Sequence, residues 1–201
     1  MQAADLIDPS ASVTAFFRDA VEGAIRSRRC GASEASEVYL VGLLSDYAKP
    51  SAPTPRLEQP FTLQLQDALN RGGADRFERL RQLGDEVLYF TGFFGGHLAT
   101  RGVPLGYVST LGSTAYDRAA AMLRRGGAGA APALFDELAT KFTMFASLLN
   151  DVADALYAQS ARDDRRILEV YERWLERRSG ALADSLQAWG LIPLRGDGTV
   201  H

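Results

Sequence analysis

An all-α fold is predicted by three features of the 201-residue chain. Apolar residues recur at helical spacing along most of its length, and no segment alternates apolar and polar residues as a half-buried strand does. Alanine is abundant, while β-branched residues, which favour strands, are few. The expected architecture is a single-domain bundle of about seven helices spanning 1–194, around a buried glycine-rich central helix. A proline-rich loop at 49–56 and a frayed polar tail at 195–201 complete it.

The elements follow from their start and stop signals. Asp8-Pro9 or Ser12 opens a first helix running to about Arg28, with Val13, Phe16, Phe17, Ala20, Val21, Ala24 and Ile25 at helical spacing; Gly31 stops it. Ser33 caps a second helix to about Ala48, whose inner face uses Val38, Val41 and Leu44, with Tyr39 and Leu43 beside them. A third helix covers Pro60 to Asn70 and ends at Gly72-Gly73. Asp75 opens a fourth through Leu83, which runs on into the glycine-rich segment before Gly102-Val103-Pro104 breaks it. Leu105 to Arg125 form the next. Pro132 to Tyr157 read as one long amphipathic helix, and Asp163 to Trp189 as the last.

The segment Leu83 to Leu98 is the most informative. It is apolar nearly all the way round a helix, so it belongs in the interior of a helical assembly. Yet it holds Gly84, Gly92, Gly95 and Gly96, and each glycine weakens a helix by about 1 kcal/mol relative to alanine. Close helix–helix approach is the first explanation, since small residues on one face let backbones meet. A slot for a flat ligand is the second. Tyr89, Gly92, Phe93, Gly96, His97, Tyr107 and Tyr116, with Phe94, would then line a site for an apolar or aromatic molecule, or for haem with His97 as axial ligand.

Asp85 and Glu86 stand in this apolar setting. After Gly84, Asp85 reads first as the cap of a restarted helix. Buried instead, either carboxyl would be pushed toward neutrality and become an acid–base group, with Tyr89 one turn beyond Asp85 as a partner. Thr140, Thr143, Ser147, Asn150, Asp151 and Asp154 gather opposite an apolar stripe and read as a solvated face. In the last helix Tyr171, Trp174, Arg178 and Trp189 are of the residue types that dominate binding hot spots, and equally of types that complete a core.

Composition bounds the function. A net charge of -3 argues against nucleic acid as partner, because phosphate binding needs a basic surface. One cysteine, Cys30, makes neither an internal disulfide nor a cysteine-based zinc site, and His97 has no second ligand at metal-binding spacing. No catalytic constellation, metal site or resident cofactor is expected. Nothing resembles a signal peptide, and no stretch approaches the ~20 apolar residues that span a bilayer, so a cytoplasmic protein is expected. Lysine occurs only at Lys49 and Lys141, a bias typical of a GC-rich bacterial genome.

The segments from Leu83-Gly84-Asp85 through Phe94, and from Tyr107 through Ala115-Tyr116, resemble a family of uncharacterised bacterial all-helical proteins of about this length. The resemblance covers the middle third of the chain and implies no activity, cofactor or site residue. The expected function is therefore protein–protein interaction, as an adaptor, regulator, scaffold or homodimer. The alternatives are the small-molecule or haem site near Gly92, Gly96 and His97, and an enzyme using Asp85 or Glu86.

Overall fold

A computed structural model describes residues 9–49, 59–100, 104–127, 129–161 and 163–191, without the side-chain surroundings of 9–12 and 96–100. The described residues form nine helices and no strand. They are α1 Pro9–Arg28, α2 Glu34–Tyr47, α3 Phe61–Asn70, α4 Gly73–Thr100, α5 Leu105–Arg125, α6 Ala131–Thr140, α7 Phe142–Gln159, α8 Asp164–Arg177 and α9 Gly180–Ala188. Packing gathers the chain into two compact units, Met1–Asn150 and Asp151–His201. No described helix is long and apolar enough to cross a membrane.

Two expected helices are each split, which turns about seven into nine. The first split falls at Lys141, whose backbone (φ -100°, ψ 20°) leaves the helical region between α6 and α7. The second falls at Arg178, which takes the left-handed conformation (φ 53°) that ends many helices. Ser179 then stands at the start of α9. By contrast, α4 runs unbroken for 28 residues through all its glycines. Asp85 therefore lies in mid-helix, and the cap reading is wrong.

Other signals act as the residues dictate. Ser33 caps α2 by accepting the Ser36 amide, and Asp163 caps α8 by accepting the Arg166 amide. Glu137 of α6 reaches across to the same end of α2, accepting from the Ser33 amide (3.1 Å), the Ser33 hydroxyl and the Ser36 hydroxyl (2.7 Å). Lys141 joins it, bonding Glu137 (2.8 Å) and the Gly31 carbonyl. A carboxylate at a helix N-terminus satisfies free amides and opposes the positive end of the dipole. On α2 one expected core position fails: Val38 is 65% exposed, while Leu40, outside the expected face, is fully buried.

In the first unit the glycines set the packing. A Cβ on Gly84 would sit 2.5 Å from the Tyr116 ring, and one on Gly112 would collide with Phe142 and Val87. Since 84 meets 116 while 87 meets 112, α4 and α5 run antiparallel. A Cβ on Gly92 would lie 2.5 Å from Leu149 Cβ, so α7 presses on α4 there. Leu80, Leu88, Tyr116, Leu138, Phe145, Leu148 and Leu149 fill the interior between these helices. The second unit has its own smaller core of Ala158, Val170, Trp174, Leu182 and Leu186.

Candidate functional site

Two features of the first unit go beyond ordinary packing: a buried carboxylate and an aromatic face. Asp85, 6% exposed, projects from the middle of α4. Its Oδ1 accepts hydrogen bonds from the Tyr39 hydroxyl of α2 (2.5 Å) and the Tyr116 hydroxyl of α5 (2.7 Å). Its Oδ2 accepts from Arg81 Nη1 (2.6 Å), one turn earlier on α4. Arg81 in turn gives its Nε (3.1 Å) and Nη2 (2.6 Å) to the more exposed carboxylate of Glu78. A polar chain thus runs from two phenols, one fully and one half-buried, through one carboxylate and one guanidinium, to the surface.

The electrostatics follow from this placement. Removal from water pushes Asp85 up to about 6, although the Tyr39 hydrogen bond, the Arg81 charge and the Tyr116 hydrogen bond all favour the ion. Burial, then the neighbouring Asp85 charge, raises the hydroxyls of Tyr39 and Tyr116 well above their usual value. Both phenols therefore remain donors. The aromatic rings around them are apolar walls: Phe135 of α6 packs edge-on against Tyr39 (5.8 Å) and tilted against Tyr116 (5.9 Å). Phe142 of α7 lies 6.0 Å from Tyr116.

The aromatic face lies further along α4. Tyr89 stacks in parallel on Tyr47 of α2 (4.0 Å) and on Phe93 (4.8 Å). Phe94 meets both Tyr89 (6.0 Å) and Phe90 (5.5 Å), and Phe90 meets Phe61 of α3 (6.2 Å). Phe94 is 44% exposed, while Tyr47, Phe61, Tyr89 and Phe93 are half-buried.

The residues anticipated for a ligand site divide between these features. Tyr89 and Phe93 belong to the aromatic face. Tyr116 is fully buried on Asp85, and Tyr107 is 55% exposed at the start of α5. The flank of Gly92 is filled by Leu149, so a flat ring has no room on that side; close packing explains this glycine. Gly96 and His97 lie on α4, but their surroundings are outside the described residues, as are 50–56 of the proline-rich loop and the 195–201 tail. No group of three or more metal-ligating side chains occurs among the described residues. A polar cleft between α3 and α4 is lined by Gln59, Gln64, Asp67, Arg79, Gln82 and Glu86; it opens onto Glu86 and not onto Asp85.

In the second unit, Trp174 belongs to the core, with Arg178 over its ring (4.6 Å) and Tyr171 beside it (5.7 Å). Trp189 stands at the surface end of α9. Asp154, expected on a solvated face, is buried; Arg173 Nε (2.8 Å) and Arg177 Nη1 (3.4 Å) of α8 both bind its Oδ1.

Sequence reasoning marked Asp85 and Tyr116 but assigned them to different sites, and gave Asp85 the wrong neighbour, Tyr89. Tyr39 and Arg81 were missed as its partners. Arg81 carried a readable signal, four residues before Asp85 on one helix face. No family model, curated protein or solved structure matches the chain. The fold and site define a class only: an all-helical protein with a three-donor carboxylate inside it and an aromatic face outside.

Proposed function

We propose that the chain acts by binding another protein through the aromatic face of α4. The observation that carries this reading is the run Tyr47, Tyr89, Phe93 and Phe94, whose rings are already ordered against one another and end at the exposed Phe94. Exposed apolar patches of this kind mark contact surfaces, and rigid aromatic side chains lose little entropy on binding. Leu105 of α5 approaches Gly95 and extends the apolar surface beyond α4.

The test compares wild-type protein with Phe94→Glu and with Val38→Glu, a control at an exposed site on α2. Native mass spectrometry and affinity capture from the source cell should show a dimer or a defined second polypeptide with wild type and with Val38→Glu. Phe94→Glu should lose it while keeping its helical circular dichroism. A wild-type chain that is monomeric and captures nothing, or a Phe94→Glu chain that binds as well as wild type, refutes the proposal.

A second reading, an enzyme acting through Asp85, draws support from one observation. A carboxyl that titrates at about 6 has the proton affinity of a general acid or base. It requires a substrate path to a side chain enclosed by Tyr39, Tyr116 and Arg81, and the described cleft leads to Glu86 instead.

A further inference from the structure

We propose that Asp85 is a proton-operated switch for Arg81: ionised, it holds the guanidinium inward against α4; protonated, it releases it to Glu78 at the surface. Three hydrogen bonds converge on the Asp85 carboxyl, two phenols on Oδ1 and one guanidinium N–H on Oδ2. This suits an anion, which only accepts. A neutral acid carries its own hydrogen on one oxygen, and that uncharged hydroxyl oxygen is a poor acceptor for a guanidinium.

Which contact yields follows from the alternatives each partner has. Tyr116 is fully buried and Tyr39 half-buried, and both phenols can still donate to a neutral carbonyl oxygen. The Arg81 contact is ionic, so it loses most when the charge vanishes. Arg81 also already binds Glu78 through Nε and Nη2, and about a third of its side chain reaches solvent. The acid hydrogen therefore belongs on Oδ2, where it removes the charge that holds the Nη1 donor. Protonation changes the Asp85–Arg81–Glu78 group from one net negative charge to none, on a surface-reaching part of α4.

The charged and titratable groups facing Asp85 from each packed helix are Tyr39 and Tyr47 of α2, Glu78 and Arg81 of α4, and Tyr116 of α5. The α6 and α7 neighbours of the tyrosines, Phe135 and Phe142, do not titrate. Glu78 opposes ionisation of Asp85 and Arg81 favours it, so both set the midpoint. Burial places that midpoint at about 6, where modest acidification of the surroundings moves it.

The experiment is a pH titration of the full chain by NMR, following the Asp85 carboxyl carbon and the Arg81 Nε–H together. The two signals should change with one midpoint near pH 6. In Asp85→Asn the Arg81 signal should stay, from pH 4.5 to 7.5, at the position it takes in acidified wild type. Tyr39→Phe removes a donor to the anion and should raise the Asp85 midpoint by about half a unit or more. An Asp85 carboxyl that stays ionised to below pH 4.5 overturns the proposal, as does an Arg81 signal that still moves in Asp85→Asn. Should Asp85→Asn fail to fold, an unchanged midpoint in Tyr39→Phe does the same.

Discussion

Among the described residues each unit buries one aspartate, and the two are compensated by different chemistry. Asp154 lies under two guanidiniums, Arg173 and Arg177, both from α8. Asp85 has one guanidinium, shared with Glu78, and two neutral phenols from two other helices. Cations neutralise a buried carboxylate, whereas phenols satisfy its lone pairs and leave the charge in place. Asp154 is thus an ionic tether between neighbouring helices. Asp85 is a hub joining α2, α4 and α5, and it keeps the option of becoming neutral.

That contrast is most sharply tested by crowding the hub. In Gly84→Ala the new methyl would meet the fully buried Tyr116 ring, which has no free end to swing away. The variant should lose about 3–4 kcal/mol in urea unfolding, at the upper end of overpacking costs. A loss under about 1 kcal/mol would mean that α4 and α5 can part at Gly84 to admit the methyl.

The next effect is the pH dependence carried by Asp85. Its folded value is raised from the usual carboxylate range to about 6, so between pH 4 and 6 the unfolded chain ionises first. Its contribution is fully present below pH 4 and is lost as the pH rises through 6. About two units at ~1.4 kcal/mol each make this loss about 3 kcal/mol. Between pH 4 and 7 wild type should therefore lose more unfolding free energy than Asp85→Asn by this amount; equal losses contradict it. Glu137 works in the opposite sense and in a lower window. Burial pushes it up, but Lys141, Ser33 and Ser36 outweigh this and bring it to about 2, so its stabilisation is lost only as the pH falls below the carboxylate range.

Removing cations should separate the two aspartates further. Arg173→Met with Arg177→Met leaves Asp154 without either guanidinium. The expected cost at pH 7 is about 2 kcal/mol, less than for a wholly buried pair because both arginines are about a quarter exposed to screening water. Arg81→Met should cost only about 1 kcal/mol, since Asp85 can take a proton instead. Equal losses in thermal melts would erase the distinction. The smallest effect is a gain. Gly42 of α2 is exposed with nothing near its Cβ position, so Gly42→Ala should add about 1 kcal/mol by helix propensity alone.

How much of this was legible in the sequence depends on distance along the chain. Local signals gave α1, α2, α3 and α5 nearly to the residue, because caps, glycines and periodicity act within a few positions. The break at Lys141 has no proline or glycine to announce it, and the Lys141 side chain there bonds Gly31, 110 residues away. The break at Arg178 did leave a trace in Ser179-Gly180, which the continuous amphipathic pattern outweighed. Asp85 was marked as unusual, but its partners Tyr39 and Tyr116 lie 46 and 31 residues away. Periodicity says which face a residue occupies and nothing about which other helix meets it. The glycines were read correctly as packing devices at Gly92, yet the rings and side chains they admit were visible only in three dimensions.

The contact of Gly84 with Tyr116 also has an evolutionary consequence. Position 84 has no volume to give while a six-membered ring occupies position 116, and the ring cannot shrink without stranding the Asp85 lone pair it serves. Positions 84, 85 and 116 are therefore expected to vary as one unit among descendants of this chain. A lineage that enlarges the first would replace the third by a smaller side chain and discard the acid between them.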